Sequence, residues 1–492
     1  MDDLHPIRLL YRRRLSKYAW ARRLKPVVVN VWFAYLQIRH IVVWRFHYRL
    51  HQIDCEMNQR VQAFSLAMAR KKYRFAETGN SLASRMIGGL EILGSRMASR
   101  ERSLLTMNPT FFSMVTLDEY CNTRKPTVNQ LTKAETFPLA MPTVYPEEYR
   151  QNLYSEMWPL DVPSVHAIEI SNAEIMGKCD FIFSGLQCLH HGFYRFEHDL
   201  PAEEMHGMVS INDKKSLLVR HRDMDEQSEV LPAAISMIGS ASPNYVHWLT
   251  ETAPKLALID EIENYADFPL VIDAGLHTNI LESIHCLNLR KRELIFIKPG
   301  QIFRVDKLVA VTPVAYTPFD FRGGGKRGVP EINPGLAMYV SDGLNLMRQK
   351  LVSRFGDQGA EHSSRLYLRR TAKSRQMSNA VEVEALLQEQ GFQIVEPETL
   401  SFTEQIRLFS RAEIIVGQGG AAFGNIIFAP KGCHIVILTT WSPYTIYYYF
   451  SNLASVLGQR CSFVLCDPVE ELHRAHKGLN VDIHNLKKAI GL

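Results

Sequence analysis

The sequence predicts an α/β protein in which two α/β domains face a cleft behind a basic helical extension. Three observations carry that reading. Strand-like and helix-like segments alternate with short turns from 365 to 438. An earlier set of apolar runs, LALIDEI, PLVIDAG, ELIFIKPG and KLVAVTP, points to a second α/β layer over 255–313. The first fifty residues hold eleven Lys/Arg against two Asp/Glu, a net +9, so the remaining 442 carry −4 of the chain's overall +5. Such alternation builds right-handed crossovers and a parallel sheet, with ligands at the carboxyl ends of the strands. The expected boundaries are 1–110 for the extension, 111–345 for the first α/β domain and 346–492 for the second.

The extension is read from its charge and its one apolar run. Residues 26–38, PVVVNVWFAYLQI, are too short for a spanning helix, which needs about 20 apolar residues. No small-residue cleavage site follows, so a signal peptide fits poorly. Arg12, Arg13, Arg14, Lys17, Arg22, Arg23 and Lys25 precede the run, and Trp32, Phe33, Trp44 and Phe46 lie in or after it. Cations beside aromatic and apolar residues suit a helix lying on an anionic membrane surface; a helix packed on the protein's own body is the alternative. No nucleic-acid motif accompanies the charge, so residues 1–50 predict no nucleic-acid partner.

Residues 54–106 read as one or two helices interrupted by glycines. The prolines between Pro109 and Pro163 predict an irregular connection. Short strand-like runs follow: VHAIEI, DFIFSG, KSLLVR and AAISMIG. In the second half RLYLRR, FQIVE, EIIVG and HIVIL read as strands, with NAVEVEALLQEQG and SFTEQIRLFSRA as the helices between them.

Composition sets the class. With 46% hydrophobic and 22% charged residues the chain is neither disordered nor collagen-like, and a mean hydropathy of −0.12 argues against a polytopic membrane protein. The eight cysteines form no CxxC pair, which argues against a zinc or redox framework and for reduced thiols in a cytoplasmic protein.

Four segments could carry chemistry. After the strand EIIV comes Val416-Gly417-Gln418-Gly419-Gly420-Ala421-Ala422-Phe423-Gly424-Asn425, whose small residues let backbone approach a ligand, or simply make a tight turn. Arg369, Arg370, Lys373 and Arg375 end a strand and suit a diphosphate, or form a solvated basic loop. Asn379 with Glu382 resembles a helix N-cap pair, and Ser401 with Glu404 has capping-box spacing, which explains Glu404 structurally. In the third segment His247 and Glu251, four apart on a helix, share one face and match a general base and its orienting partner. Trp248 beside them is expected to shield the base from water; a backbone-bonded His247 at a helix start is the alternative. Asp223-Met224-Asp225 is a DxD, but in the run RHRDMDEQ it reads as a solvated loop rather than a metal site.

Together these segments resemble glycosyltransferase family 61. Asn244, Tyr245, His247, Trp248, Leu249, Glu251 and Pro254 match its N-Y-x-H-W-L-x-E-x-x-P block. Arg365, Tyr367, Arg370, Arg375 and Asn379 match R-x-Y-x-x-R with its following cation and helix-opening Asn. Gly391, Phe392, Val395, Pro397, Glu398, Leu400, Ser401, Phe402, Glu404 and Gln405 match G-F-x-x-V-x-P-E-x-L-S-F-x-E-Q. The likeness covers about 240–440. It departs at the glycine turn, usually G-P-H-G-A-G-L-x-N, where Gln418, Gly419 and Ala422 replace Pro, His and the second Gly. In the next strand Ile437 stands where a Glu is usual.

The resemblance implies a GT-B-like fold of two Rossmann-like domains and a nucleotide-sugar donor with no further cofactor. It also implies inversion at the anomeric carbon without a metal. His247 and Glu251 would be catalytic. Arg369, Arg370, Lys373, Arg375, Asn379, Glu404, Gly419, Gly420, Ala421 and Asn425 would face the donor. The acceptor would be a surface or capsular glycan precursor, free or lipid-linked, met at the inner face of the cell membrane. Gly419 and Ile437 keep a second reading open, a catalytically silent scaffold that binds a sugar nucleotide or glycan on the same fold.

Overall fold

The alternation expected over 365–438 becomes a parallel sheet in the computed structural model. The structure describes residues 110–149, 159–194, 203, 209–213, 216–219, 230–317, 337–357, 364–370, 377–440, 447–468 and 478–492. The basic extension, the helices expected over 54–106, Lys373, Arg375, Asp223 and Asp225 lie outside the described residues.

In the C-terminal sheet the parallel strands run Phe392–Val395, Ser364–Leu368, Ala412–Gln418, His434–Thr440 and Arg460–Pro468. Taken in chain order that is 2-1-3-4-5, so the connections leave Ser364–Leu368 and Ala412–Gln418 toward opposite sides. A doubly wound sheet opens a crevice at that point, outside the carboxyl ends of the two strands. The helices Ala380–Glu389 and Phe402–Phe409 form where the apolar spacing places them. A strand from far earlier, Thr143–Tyr145, joins this sheet in parallel beside Arg460–Pro468.

Among the described residues the larger sheet has eleven strands, and two further sheets have two strands each. One half is parallel, in the order Leu294–Ile297, Leu270–Asp273, Val230–Ser236 and Ile302–Val311. The last of these pairs antiparallel with His166–Met176, where the antiparallel half begins. Three of the four early apolar runs are therefore strands. LALIDEI instead begins inside the helix Ala253–Ile259.

The stretch after Pro109 is more regular than its prolines suggest. Thr110–Thr116 is a strand and Leu117–Arg124 a helix. Thr116 Oγ1 accepts from Glu119 N, while the Glu119 carboxylate accepts from Thr116 N at 2.8 Å. That capping box satisfies two helix-end donors and fixes a start that proline counting overlooks.

Helix–helix contacts lock the two sheets together. Glu282, on the helix Thr278–Leu287, accepts from Phe402 N at 2.8 Å and from Thr403 N at 3.3 Å. It thus caps the helix of the other sheet with a charge suited to a positive helix terminus. One apolar cluster spans both halves, from Leu139 through Trp248, Leu344 and Phe402 to Leu465. The seven described cysteines are free thiols. No helix among the described residues is long and apolar enough to cross a membrane.

Candidate active site

The helical run from Tyr245 to Ile259 is not uniform. Tyr245–His247 and Ala253–Ile259 are α-helical, and Trp248–Thr252 between them is a π-turn closed by Ala253 N donating to Trp248 O. Pro254 explains this: it has no N–H for the carbonyl four residues back, and its ring crowds that carbonyl. Thr250 Oγ1 donates to Val246 O at 2.8 Å. Such one-turn π insertions recur at functional sites.

The π-turn still leaves His247 and Glu251 on one face. Nδ1 of His247 lies 2.6 Å from Glu251 Oε1, with the side chains 13% and 28% exposed. Burial disfavours the imidazolium, but the charge and hydrogen bond of Glu251, with a contribution from Asp180, outweigh it, so the His247 pKa stands above its ordinary 6.5. Trp248 does not shield this pair. It is fully buried in the core, its Nε1 donating to Ser283 Oγ at 2.8 Å. The ring edge-on to His247 is Tyr449, with centroids 5.8 Å apart.

The helix that carries His247 packs on the glycine-rich turn. A Cβ on Gly424 would stand 3.2 Å from Val246 Cα and 3.3 Å from Leu249 Cδ1, so this glycine permits the close approach. Tyr245 Oη lies 2.8 Å from Asn425 Oδ1 and 3.1 Å from Gln405 Oε1, and Asn425 Nδ2 donates to the same Gln405 oxygen at 2.6 Å. Asn425 is completely buried in this network, which joins the His247 segment, the helix of Gln405 and the glycine turn.

At the crevice the two strand ends meet. A Cβ on Gly420 would lie 2.9 Å from Arg370 Nη1, so the guanidinium reaches over the turn. Gly419, Gly420 and Ala421 are solvent-accessible, and the turn continues as a 3-10 helix, Ala421–Phe428. Beside them Gln418 Nε2 is buried without a hydrogen-bond partner.

Three other residues expected to face a donor are engaged in the fold. Arg369 donates from Nε and Nη2 to Glu384, at 2.8 and 2.5 Å, and from Nη1 to Glu396 at 3.2 Å. Asn379 occupies the N-cap position, but its side chain does not cap; it exchanges hydrogen bonds with the backbone of Val481, both at 2.9 Å. Glu404 closes the capping box with Ser401, whose N–H it accepts at 2.8 Å, and these bonds hold its carboxyl below the usual range.

The family model described as Glycosyltransferase 61 matches residues 245–436, from Tyr245 to one residue before Ile437. The chain carries a glycosyltransferase 61 domain. That domain marks it as a glycosyltransferase, with sugar and glycan substrates. None of the curated proteins compared with it matches the chain.

The glycosyltransferase 61 domain shares one wall with a cavity of about 130 Å3. Glu251, Thr252 and Lys255 line it from the helix of His247; His190 lines it from a strand end of the larger sheet's antiparallel half, Asp180, His191 and Tyr194 from connections beside those strands, and Glu203 from outside the sheet. Asp180 Oδ2 accepts from Ser240 N at 3.1 Å and Ser240 Oγ at 2.5 Å. Burial pushes the imidazoles of His190 and His191 down to about 4 and about 3, and lowers the ammonium of Lys255. Sequence reading missed these groups. LHHG at 189–192 was the only local signal, because the rest lie far apart in the chain. Among the described residues no three His, Cys, Asp or Glu side chains form a metal-holding group.

Proposed function

We propose that the chain transfers a sugar from a nucleotide-sugar donor to a hydroxyl of a surface or capsular glycan precursor, with inversion and without a metal. One observation supports this above all: the His247–Glu251 pair stands on a helix seated against the glycine turn over which Arg370 reaches. The reading assigns the donor diphosphate to Arg370 and to the backbone of Gly419–Ala421 at the sheet's crevice. The two sheets then act as the acceptor and donor sides of a GT-B arrangement, with 111–345 and 346–492 as its domains apart from Thr143–Tyr145, which joins the second sheet. The basic residues 1–50 hold the enzyme on the inner face of the cell membrane.

The chemistry is a direct displacement. His247 takes the acceptor hydroxyl's proton as that oxygen bonds to the anomeric carbon. The bond from that carbon to the diphosphate oxygen breaks at the same time, and the diphosphate leaves with the electron pair. Glu251 stabilises the imidazolium as it forms. Cations and aimed N–H groups stabilise the leaving diphosphate.

A second reading, a silent sugar-nucleotide or glycan-binding scaffold, is favoured by one contact. Gly419 and Ile437 face each other with apolar surface where the family usually has a His and a Glu. A hydrolysis screen of the purified protein over a panel of nucleotide sugars separates the two. Turnover of one donor supports the transferase; binding of a donor without turnover supports the scaffold.

A further inference from the structure

The cavity beside Glu251 contains a group that the fold leaves unsatisfied. Glu203 has no solvent exposure; its Oε1 accepts from Asp180 N at 2.8 Å, while its Oε2 has no hydrogen-bond partner. An orphaned buried polar atom is costly, so it calls for a ligand or another compensating contact. Burial and the adjacent Asp180 carboxylate push the Glu203 carboxyl well above its ordinary range, which favours its protonated form, both a donor and an acceptor. Asp180 itself is exposed and lines the same cavity.

The facing wall is aromatic. The ring centroid of His191 lies 4.3 Å from that of Tyr194 and 4.9 Å from that of Tyr316, and all three line the cavity. Aromatic faces with a few aimed polar groups are the general composition of a small-molecule site. The volume of about 130 Å3 is close to the roughly 150 Å3 of an engineered cavity that takes up benzene, so it suits one six-membered ring. The helix of His247 turns Val246 and Leu249 to the glycine turn and Glu251, Thr252 and Lys255 to this cavity. The cavity and Gly424 of the glycine turn therefore lie on different faces of the helix that carries the base.

From these observations we infer that the cavity is a subsite for an uncharged pyranose ring. The C–H face of the ring lies on Tyr194 and Tyr316, and its hydroxyls bond to Glu203 and Asp180. Its service as the seat of the acceptor's terminal sugar rests on the transferase reading above. Asp180, Glu251 and Glu203 outnumber Lys255, whose charged form burial disfavours, so a uronate is disfavoured there.

Ligand-observed NMR of the full-length protein with methyl glycosides of glucose, galactose, xylose and glucuronic acid tests this. At least one neutral glycoside binds, the glucuronide does not compete with it, and Glu203→Leu and Tyr316→Leu each weaken binding about tenfold or more. Melting curves establish that each variant folds; if one does not, the other decides. A purely structural role for Glu203 predicts no loss of glycoside in the Leu variant. Failure of every neutral glycoside to bind, or undiminished binding in a folded variant, overturns the inference. Donor hydrolysis measured in parallel keeps the two proposals apart. Hydrolysis without glycoside uptake removes the subsite and leaves the transferase reading. Variant-sensitive uptake without binding of any nucleotide sugar leaves the sugar subsite and removes the transferase reading.

Discussion

Gly419 faces Ile437: a Cβ built on Gly419 would lie 3.5 Å from Ile437 Cγ2, an ordinary van der Waals distance. The two positions at which the chain departs from its family's polar residues therefore form one apolar patch. A lone His or Glu here would face aliphatic carbon, so the two replacements are physically consistent with each other.

This contact separates neighbouring glycines by role. Gly419→Ala fits without strain and raises stability by about 0.4–1 kcal/mol through the unfolded chain. Gly420→Ala puts a methyl 2.9 Å from Arg370 Nη1 and displaces the guanidinium. The expected outcome is a nucleotide-sugar affinity lower by about tenfold, the scale of one charge-assisted bond. Melting temperature and calorimetric affinity on both variants check this pair.

The adjacent arginines differ in the same way. Arg369 is held by Glu384 and Glu396, so Arg369→Ala lowers stability by about 1 kcal/mol and leaves donor affinity within about threefold. Replacing Arg370 together with Arg375 by Ala weakens nucleotide binding by about 2 kcal/mol or more. Unchanged calorimetric affinity in the folded double variant removes the diphosphate assignment.

The raised pKa of His247 sets a pH signature. A base works neutral, so kcat/KM falls as pH drops through the His247 pKa, and this acid limb lies above 6.5. Glu251→Gln removes the charge that raises the pKa and leaves the burial that lowers it, so the limb moves to lower pH. For stability the sign is the reverse. A raised folded pKa makes the pair's contribution fully present below the unfolded pKa near 6.5 and lost as pH rises through the folded value. An acid limb that stays in place in Glu251→Gln contradicts the pairing.

The transferase reading carries a metal prediction as well. Turnover is unchanged by EDTA. Loss of turnover restored by manganese instead assigns Asp223 and Asp225 to a metal.

Legibility in the sequence followed the range of the interactions. Four of the five parallel strands around Arg370 and the glycine turn were readable because each is an apolar run bounded by its own helix or turn; Arg460–Pro468 was not read from the sequence. The start at Thr116 was missed because a local capping box outweighed the prolines around it. That Arg369 turns to Glu384 while Arg370 turns to Gly420 was not readable, since successive residues leaving a strand point to opposite faces. Trp248 looked like a shield because it neighbours His247, yet the π-turn imposed by Pro254 directs it to Ser283 and the core. The Asp180–Glu203–Lys255 cavity is assembled from distant segments by the packing of the His247 helix on the sheet, and no spacing within any one segment encodes it.

The central claim is that His247 is the base, and turnover of His247→Ala with the donor found in the screen tests it most directly. With a melting temperature and nucleotide affinity close to the wild type, turnover is expected to fall by about 10²–10⁴. A well-folded His247→Ala protein that retains near-wild-type turnover contradicts it.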